Sequence, residues 1–474
     1  MTTYLIAAAA LIVLVVLLTA FLNRHARDLV RTRKLHINRY KMRHKHSEIR
    51  LDVFGSPKVV DAVKKYAHDH KVSVEAAERQ AKIYLFEIMP KFNLLAYYRL
   101  GGPIARAFLY LFYWVVVDRE HIERLNRELE PDAVVVYMIN HRSNVDYVLV
   151  AHMLFKFISL SYAVGEWARV WPLNHLFKWF GGYFIRRRFR EPLYHTVLSQ
   201  FVATITRSGV TQGVFLEGGL SRDGAFQKPK LGMLDYLVLS KRDARFTAPL
   251  YFVPTAVSYD RVLEDRNLSE ELVGREDRRS SWEKLSSSVD YLFFSLWRSL
   301  RRRFKRYGYA MVSFGKPVRL DDFVRDHPEI LAESFETRKP HLAELGRAIM
   351  RNISDAYPLT PVAVVAAVFA AHPVDEWIDE HALVTEINDS RASRFVERVW
   401  MAREGSGSEV WAEARLVLEL RHLVEEQNGK WRWSQRELAL LEYYTNSTLP
   451  FDEVEKRGWR ERSVADDQAR GEGR

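Results

Sequence analysis

The sequence contains no cysteine. This excludes disulfides, thiolate metal sites and a cysteine nucleophile, and it fits a reducing compartment. Two well-known loops are missing as well. Gly213 to Gly224, GVFLEGGLSRDG, is rich in glycine, but no Gly-Lys-Ser/Thr closes it, so it is not a P-loop. Gly219-Leu220-Ser221-Arg222 is followed by Asp223, where a nucleophile elbow needs glycine. No internal repeat is present. Acidic side chains are outnumbered, 60 Asp and Glu against 71 Lys and Arg, for a formal charge of +11. Such a balance points to nucleic acid, anionic lipid or phosphorylated substrates, and charge alone does not choose among them. Aromatic residues make up 13% of the chain, which suits a protein at a membrane interface. At 474 residues the chain is long enough for two or three domains and a large core.

One long apolar run is present. Tyr4 to Leu22 has only Thr19 as a polar interior residue. As a helix it would span ~28 Å, close to the hydrocarbon thickness of a bilayer. Arg24 to Arg50 follows with ten Lys or Arg against Asp28 and Glu48, and no charged side chain precedes the run. The positive-inside rule then predicts an outside N-terminus and a chain that is cytoplasmic after Leu22, which in a bacterial cell is the inner membrane's cytoplasmic face. A cleaved signal peptide would carry its basic residues before the run. The basic segment should attract anionic lipid. His36, His44 and His46 lie among Lys and Arg, which disfavours a metal there.

The stretch that carries most information is Ala133 to Asp146, AVVVYMINHRSNVD. Its β-branched first half predicts a strand buried on both faces. Its second half, rich in Ser, Asn and Asp, predicts a turn entering a helix. His141 then sits just past the carboxyl end of a buried strand, where open α/β sheets hold their ligands. On one straight helix His141 and Asp146 would face ~140° apart. They meet only if His141 lies in the turn and Asp146 in the first helical turn. An Asp on one imidazole nitrogen fixes the tautomer and leaves the other nitrogen basic. The plainer alternative is a surface His beside a helix cap.

Further short strands end in polar residues. Pro90 and Gly101-Gly102-Pro103 punctuate the approach to Phe108 to Val117, which is too short to span a membrane and reads as a buried strand or helix, or an interfacial segment. Tyr147 to Leu160 predicts an apolar helix, and Ser161 to Val164 a strand. In Gly181 to Arg190, GGYFIRRRFR, the run Arg186-Arg187-Arg188 directly follows Tyr183-Phe184-Ile185. This predicts a strand ending in a phosphate-binding pocket, or alternatively a basic rim facing a membrane. Val214 to Leu216 predicts a strand leading to Glu217, Gly218 and Gly219, with Ser221 and Arg222 beyond. Here glycine allows close backbone approach to a ligand, or simply makes a turn. Leu250 to Val253 predicts a strand ending at Pro254. Ser280 to Lys305 reads as a basic helix, and Met311 to Gly315 as a last strand. From Asp321 the patterns are helical, with a core helix at Pro361 to Ala371 and an amphipathic helix at Trp431 to Leu449. The final dozen residues have a disordered composition. The expected fold is α/β, a mixed or mostly parallel sheet flanked by helices, with an N-terminal transmembrane helix and a helical C-terminal domain. The expected divisions are an anchor over 1–23, a basic helical region over 24–90, an α/β domain over 91–320 and the helical domain over 321–474.

Four clusters stand in one order: NHRSNVD, GGYFIRR, FLEGGLSR and VPTAVSYD. Together they resemble the glycerolipid acyltransferase family, with the nearest likeness to bacterial glycerol-3-phosphate acyltransferases. The clear resemblance covers Ala133 to Asp265. A weaker one continues through Tyr357-Pro358-Leu359-Thr360-Pro361-Val362 and Leu441-Glu442-Tyr443-Tyr444-Thr445-Asn446-Ser447. It implies His141 as general base and Asp146 as its orienting partner. It implies substrate contacts at Arg142, Ser143, Arg186, Arg187, Glu217, Gly218, Gly219, Ser221 and Arg222, with Pro254 in the block tied to the acyl side. Leu220 departs from the family pattern, which has Arg after the glycine pair.

The chemistry expected is acyl transfer from acyl-CoA or acyl-carrier protein to the sn-1 hydroxyl of glycerol 3-phosphate, with no metal and no cofactor beyond the acyl donor. Direct transfer is favoured over an acyl-enzyme, since there is neither cysteine nor a serine elbow. The alternatives are the same chemistry on dihydroxyacetone phosphate or a lysophospholipid, and a non-catalytic membrane protein that binds anionic lipid or nucleic acid. Nucleic acid is not expected as a partner under the acyltransferase reading.

Overall fold

The computed structural model describes residues 46–90, 101–154, 161–164, 182–186, 189–272, 306–393 and 405–458. The apolar run at 4–22, the basic helix expected at 280–305 and the C-terminal tail lie outside the described residues. Among the described residues, no helix is long and apolar enough to cross a membrane.

The chain opens with α1 (His46–Phe54), α2 (Pro57–Asp69) and α3 (Val74–Ile88). Pro57 occupies the first turn of α2, where its missing N–H costs nothing, and the Ser73 hydroxyl caps α3 by accepting from Ala76 N. Then come α4 (Gly102–Phe112), β1 (Trp114–Val117), α5 (Arg119–Glu128), β2 (Val134–Ile139) and α6 (Asp146–Leu154). The apolar stretch 108–117 is thus half helix and half strand, divided at Tyr113. Next are β3 (Ser161–Val164), β4 (Gly182–Phe184), α7 (Pro192–Arg207), β5 (Gln212–Phe215), α8 (Leu231–Val238), β6 (Leu250–Tyr259) and α9 (Asp265–Leu272). The helices α1 to α3 pack on α7, which in turn packs on α8.

After 306 the chain forms β7 (Tyr309–Phe314), β8 (Val318–Arg319), α10 (Leu320–Asp326), α11 (Phe335–Asp355) and α12 (Pro361–Phe369). It continues through β9 (Ile378–Asp379), α13 (Glu380–Ser393), α14 (Gly407–Leu420), β10 (Val424–Gln427), β11 (Lys430–Trp433), α15 (Leu438–Asn446) and α16 (Phe451–Lys456).

The main sheet runs β1-β7-β6-β2-β5-β3-β4, with β8 paired to β6. From β6 across to β4 the pairs are parallel; β7 is antiparallel to β6, and β1 is parallel to β7. The expected mixed, mostly parallel sheet is therefore present. Every residue of β2 and β6 is buried, as their near-continuous apolar sequences require when helices cover both faces.

Three expectations need correction. The strand around Pro254 does not stop there but runs on to Tyr259. Pro254 O accepts from Gly315 N, so its missing donor faces the β7 side. That is the interval between the β8 pairing at Tyr251–Phe252 and the β7 pairing that begins at Thr255, where no ladder bond is lost. The segment 431–449 is not one helix: its start pairs as β11 with β10 and β9, and α15 begins at Leu438. The C-terminal part is accordingly helical with a small antiparallel sheet. All nine residues of α12 are buried at its centre, packed against α14 and α15.

Candidate active site

The strands β2, β5 and β4 deliver their following loops to one carboxyl edge of the sheet, with Ile139 level with Phe215. At that edge Asn140 ends the strand in a particular way. Its side-chain amide donates to Val257 O (3.0 Å) and accepts from Val257 N (2.7 Å), replacing the ladder bonds of a peptide unit. The backbone is thereby free to turn away from β6 while the polar groups of β6 stay paired.

His141 lies in the turn and Asp146 starts α6, the arrangement the sequence spacing demanded. His141 Nδ1 is 2.9 Å from Asp146 Oδ2, and the two side chains are 2% and 0% exposed. The same Oδ2 accepts from Arg142 N (2.7 Å) and Ser143 N (3.0 Å), while Oδ1 accepts from Tyr259 Oη (2.7 Å). Asp146 therefore organises the whole turn as well as the imidazole. Burial and the Asp146 charge hold the Tyr259 phenol well above its usual range, so it donates. The imidazole stacks on Phe215 (4.0 Å, 28°) and meets Tyr147 edge-on (5.5 Å). Ring plane and tautomer are both fixed, and the Nδ1–H tautomer places the basic lone pair on Nε2.

Glu217 lies beneath this turn. Its carboxylate accepts from His141 N (2.6 Å) and Gln227 N (2.9 Å), and Ser221 N donates to His141 O (3.0 Å). Burial pushes the carboxyl up to about 7, against the pull of the Arg142 charge and the two amide donors. Gly218 has φ +69°, and a Cβ there would meet Lys230 Cγ at 2.7 Å, so a side chain is excluded on both grounds. Gly219 is half-buried beside it. Ser221 is fully buried and its hydroxyl donates to Ala225 O (2.7 Å). Ser143 Oγ donates to Glu264 Oε2 (2.7 Å), and Asn144 donates to Oε1 from its backbone and side chain. Burial raises the Glu264 carboxyl to about 7.

Not every expected site residue faces a common space. Arg142 is 2% exposed and turned into the protein. Its Nη1 donates to Gly224 O and Ala225 O, and its guanidinium carbon lies 5.0 Å from the Phe226 ring and 5.1 Å from the Tyr357 ring. Arg186 is held by the Glu87 carboxylate of α3 (2.6 and 2.8 Å) and lies over Phe189. Arg187 lies outside the described residues. Arg222 is half-buried in the loop that carries Glu217. Pro254 is buried within β6, opposite Met138. Leu220 is half-buried and packs against the core. Asn140, Gln227, Tyr259 and Glu264 hold the site together as well; the partners of Asn140, Tyr259 and Glu264 are remote in sequence, whereas Gln227 is bound within its own loop.

The C-terminal part touches this machinery directly. Gly224 has φ +79°, and a Cβ there would lie 1.8 Å from Tyr443 O. Asn446 Nδ2 donates to Asp223 O (3.0 Å). Asp260, beyond the end of β6, accepts from Val362 N (2.9 Å) in the first turn of α12 and from Tyr309 N (2.8 Å). Burial pushes its carboxyl up to about 6. Arg421 pairs with Asp265 (2.6 Å) in a buried cluster with Tyr444.

Residues 115–258 match the family described as Acyltransferase, and residues 293–451 match the Glycerol-3-phosphate acyltransferase C-terminal region. A protein of Pseudomonas putida named glycerol-3-phosphate acyltransferase is 30% identical over 325 residues, covering 66% of this chain and 37% of the relative. One of the same name from Ectopseudomonas mendocina is 26% identical over 426 residues, covering 83% of this chain and 47% of the relative. The chain belongs to the glycerolipid acyltransferase family. It spans less than half the length of these curated relatives. A crystal structure of the 1-acyl-sn-glycerophosphate (LPA) acyltransferase from Thermotoga maritima is similar at 18% identity with a TM-score of 0.31, covering 61% of this chain and 93% of that one. In this chain the two matched regions share one sheet, because β7 from the second sits between β1 and β6 from the first.

Proposed function

We propose that this chain transfers a fatty acyl group from acyl-CoA or acyl-carrier protein to the sn-1 hydroxyl of glycerol 3-phosphate, the first acylation of phospholipid synthesis. The observation that carries this reading is the buried contact of His141 Nδ1 with Asp146 at the carboxyl edge of the sheet. His141 Nε2 takes the hydroxyl proton as that oxygen attacks the thioester carbonyl. A C–O bond forms, the C–S bond breaks, and the proton passes to the departing thiolate. Asp146 stabilises the imidazolium formed on the way. Arg187 and Arg222 hold the acceptor phosphate. Arg142 and Glu217 act through the loop by fixing its shape. No metal is required for these steps. The apolar run at 4–22 anchors the protein in the membrane, and the basic segment after it lies against anionic lipid on the cytoplasmic face.

A second reading keeps the chemistry and moves the acceptor to dihydroxyacetone phosphate or a lysophospholipid. Leu220 favours it, since that position supplies core packing instead of a cation. The test is acyl transfer from labelled palmitoyl-CoA, and from an acyl-carrier-protein donor, by the membrane-bound protein. Glycerol 3-phosphate, dihydroxyacetone phosphate and lysophosphatidate are offered in parallel, with His141→Ala as control. Product from glycerol 3-phosphate that disappears in the variant is expected. Product from a different acceptor alone supports the second reading, and transfer unchanged in His141→Ala refutes the mechanism.

A further inference from the structure

Outside the four motif blocks, the turn after α10 brings a second set of donor atoms together. His327 follows α10 with non-helical backbone (φ −133°, ψ 69°), and its ring lies over Phe323 at 4.5 Å. His341 and Glu344 lie three residues apart on α11, the spacing that puts two side chains on one helix face. The His327 and His341 ring centroids are 5.5 Å apart, and His327 Nε2 is 3.9 Å from Glu344 Oε1. One ligand atom from each of the three residues falls within 4.8 Å of the other two. The two imidazoles are half-buried and the carboxylate is exposed, so an ion has an entry path and the rings have support.

We propose that His327, His341 and Glu344 form a binding site for a first-row divalent cation such as zinc, with a fourth position open to water. Two imidazoles and one carboxylate are a donor set for such ions, whereas calcium and magnesium prefer oxygen alone. With metal–ligand bonds of about 2.0–2.2 Å, tetrahedral ligands sit roughly 3.4 Å apart. The His327–Glu344 pair is already close to that, and rotation of His341 on its helix closes the rest. The ion would fasten the turn 327–334 to α11 from one side. From the other, Arg242 Nε donates to Leu331 O (2.9 Å), and Arg338 Nη1 donates to Ala332 O (2.9 Å) and Glu333 O (2.6 Å).

The experiment uses the full chain after exhaustive chelation, with Zn2+ alone as the calorimetric probe and Co2+ alone as the spectroscopic one. One equivalent of zinc is expected, together with visible Co2+ absorption of tetrahedral intensity. Affinity should fall on the order of 10-fold or more in Glu344→Gln and further in His341→Ala. A circular dichroism melt without metal checks that each variant is folded. Zinc stoichiometry and affinity unchanged in a folded H327A/H341A double variant would place the ion elsewhere, for instance at the His36–His46 segment, and overturn the proposal. Absence of saturable binding to the parent chain would overturn it as well.

Discussion

Replacing Asp146 with asparagine separates the two roles of this side chain. The carboxylate satisfies four donors: His141 Nδ1, Arg142 N, Ser143 N and Tyr259 Oη. Alanine would strand all four in a buried site, at about 1–3 kcal/mol each, and so would report on folding. Asparagine can keep its oxygen towards the first three. Its NH2 then points at Tyr259, whose hydroxyl changes from donor to acceptor. The turn and the tautomer survive, and what is lost is the negative charge beside an imidazolium. At contact distance and an effective dielectric near 20, that charge pair is worth roughly 4–6 kcal/mol, part of which the amide dipole recovers. A remaining loss of about 3–4 kcal/mol corresponds to a fall in kcat of roughly 100- to 1000-fold. KM for the acceptor should stay within about twofold, because Asp146 does not face the substrate. The assay is steady-state acyl transfer at matched membrane protein, with thermal unfolding run in parallel. If Asp146→Asn kept more than about a third of wild-type kcat, the argument that charge on Asp146 drives the proton transfer would fail. A fall in kcat accompanied by a collapse of the melting transition would instead show that the hydrogen-bond exchange with Tyr259 does not occur.

Two further outcomes follow from the same geometry. Gly224→Ala puts a Cβ against Tyr443 O in a left-handed backbone conformation, and should cost about 3 kcal/mol or more in denaturant unfolding; a loss below about 1 kcal/mol would mean that the two parts are not in contact there. Glu264 has a folded pKa raised to about 7, so the folded state holds its proton more tightly than the unfolded one, and its contribution to stability falls as pH rises from about 4.5 to 7. Glu264→Gln removes that loss, and should gain on the order of 1–3 kcal/mol over the parent at pH 8 with little difference at pH 4.5; an equal difference at both pH values would refute the assignment.

Much of this arrangement was legible in the sequence because it is local. The β-branched run at 134–139, the polar turn and the capping-type residues up to Asp146 lie within one short stretch. Their periodicity specifies strand, turn and helix with little tertiary help. The glycine at 218 likewise announced a left-handed backbone. What was not legible comes from partners distant in the chain. Arg142 has the look of a substrate cation, and only the arrival of Phe226 and Tyr357 turns it inward. Arg186 is likewise claimed by Glu87 from a helix about a hundred residues earlier. Tyr259 stands in the VPTAVSYD block, but its place beside Asp146 was hidden because the sequence predicts that β6 stops at Pro254, and the tolerance of that proline depends on a gap between two antiparallel neighbours. The short strand β11 was hidden by its aromatic residues, which serve an amphipathic helix and a small sheet equally well.

The contact of Gly224 and Asp223 with α15 bears on how such a protein can be re-engineered. The loop that carries Glu217 is moulded on one side by the His141 turn and on the other by a helix more than two hundred residues further on. Exchanging C-terminal segments between relatives would therefore carry a foreign mould to a native loop. Functional chimeras should be found among those that move residues 217–227 and 438–447 as one unit. Crossovers that split this pair should yield protein that accumulates and turns over poorly.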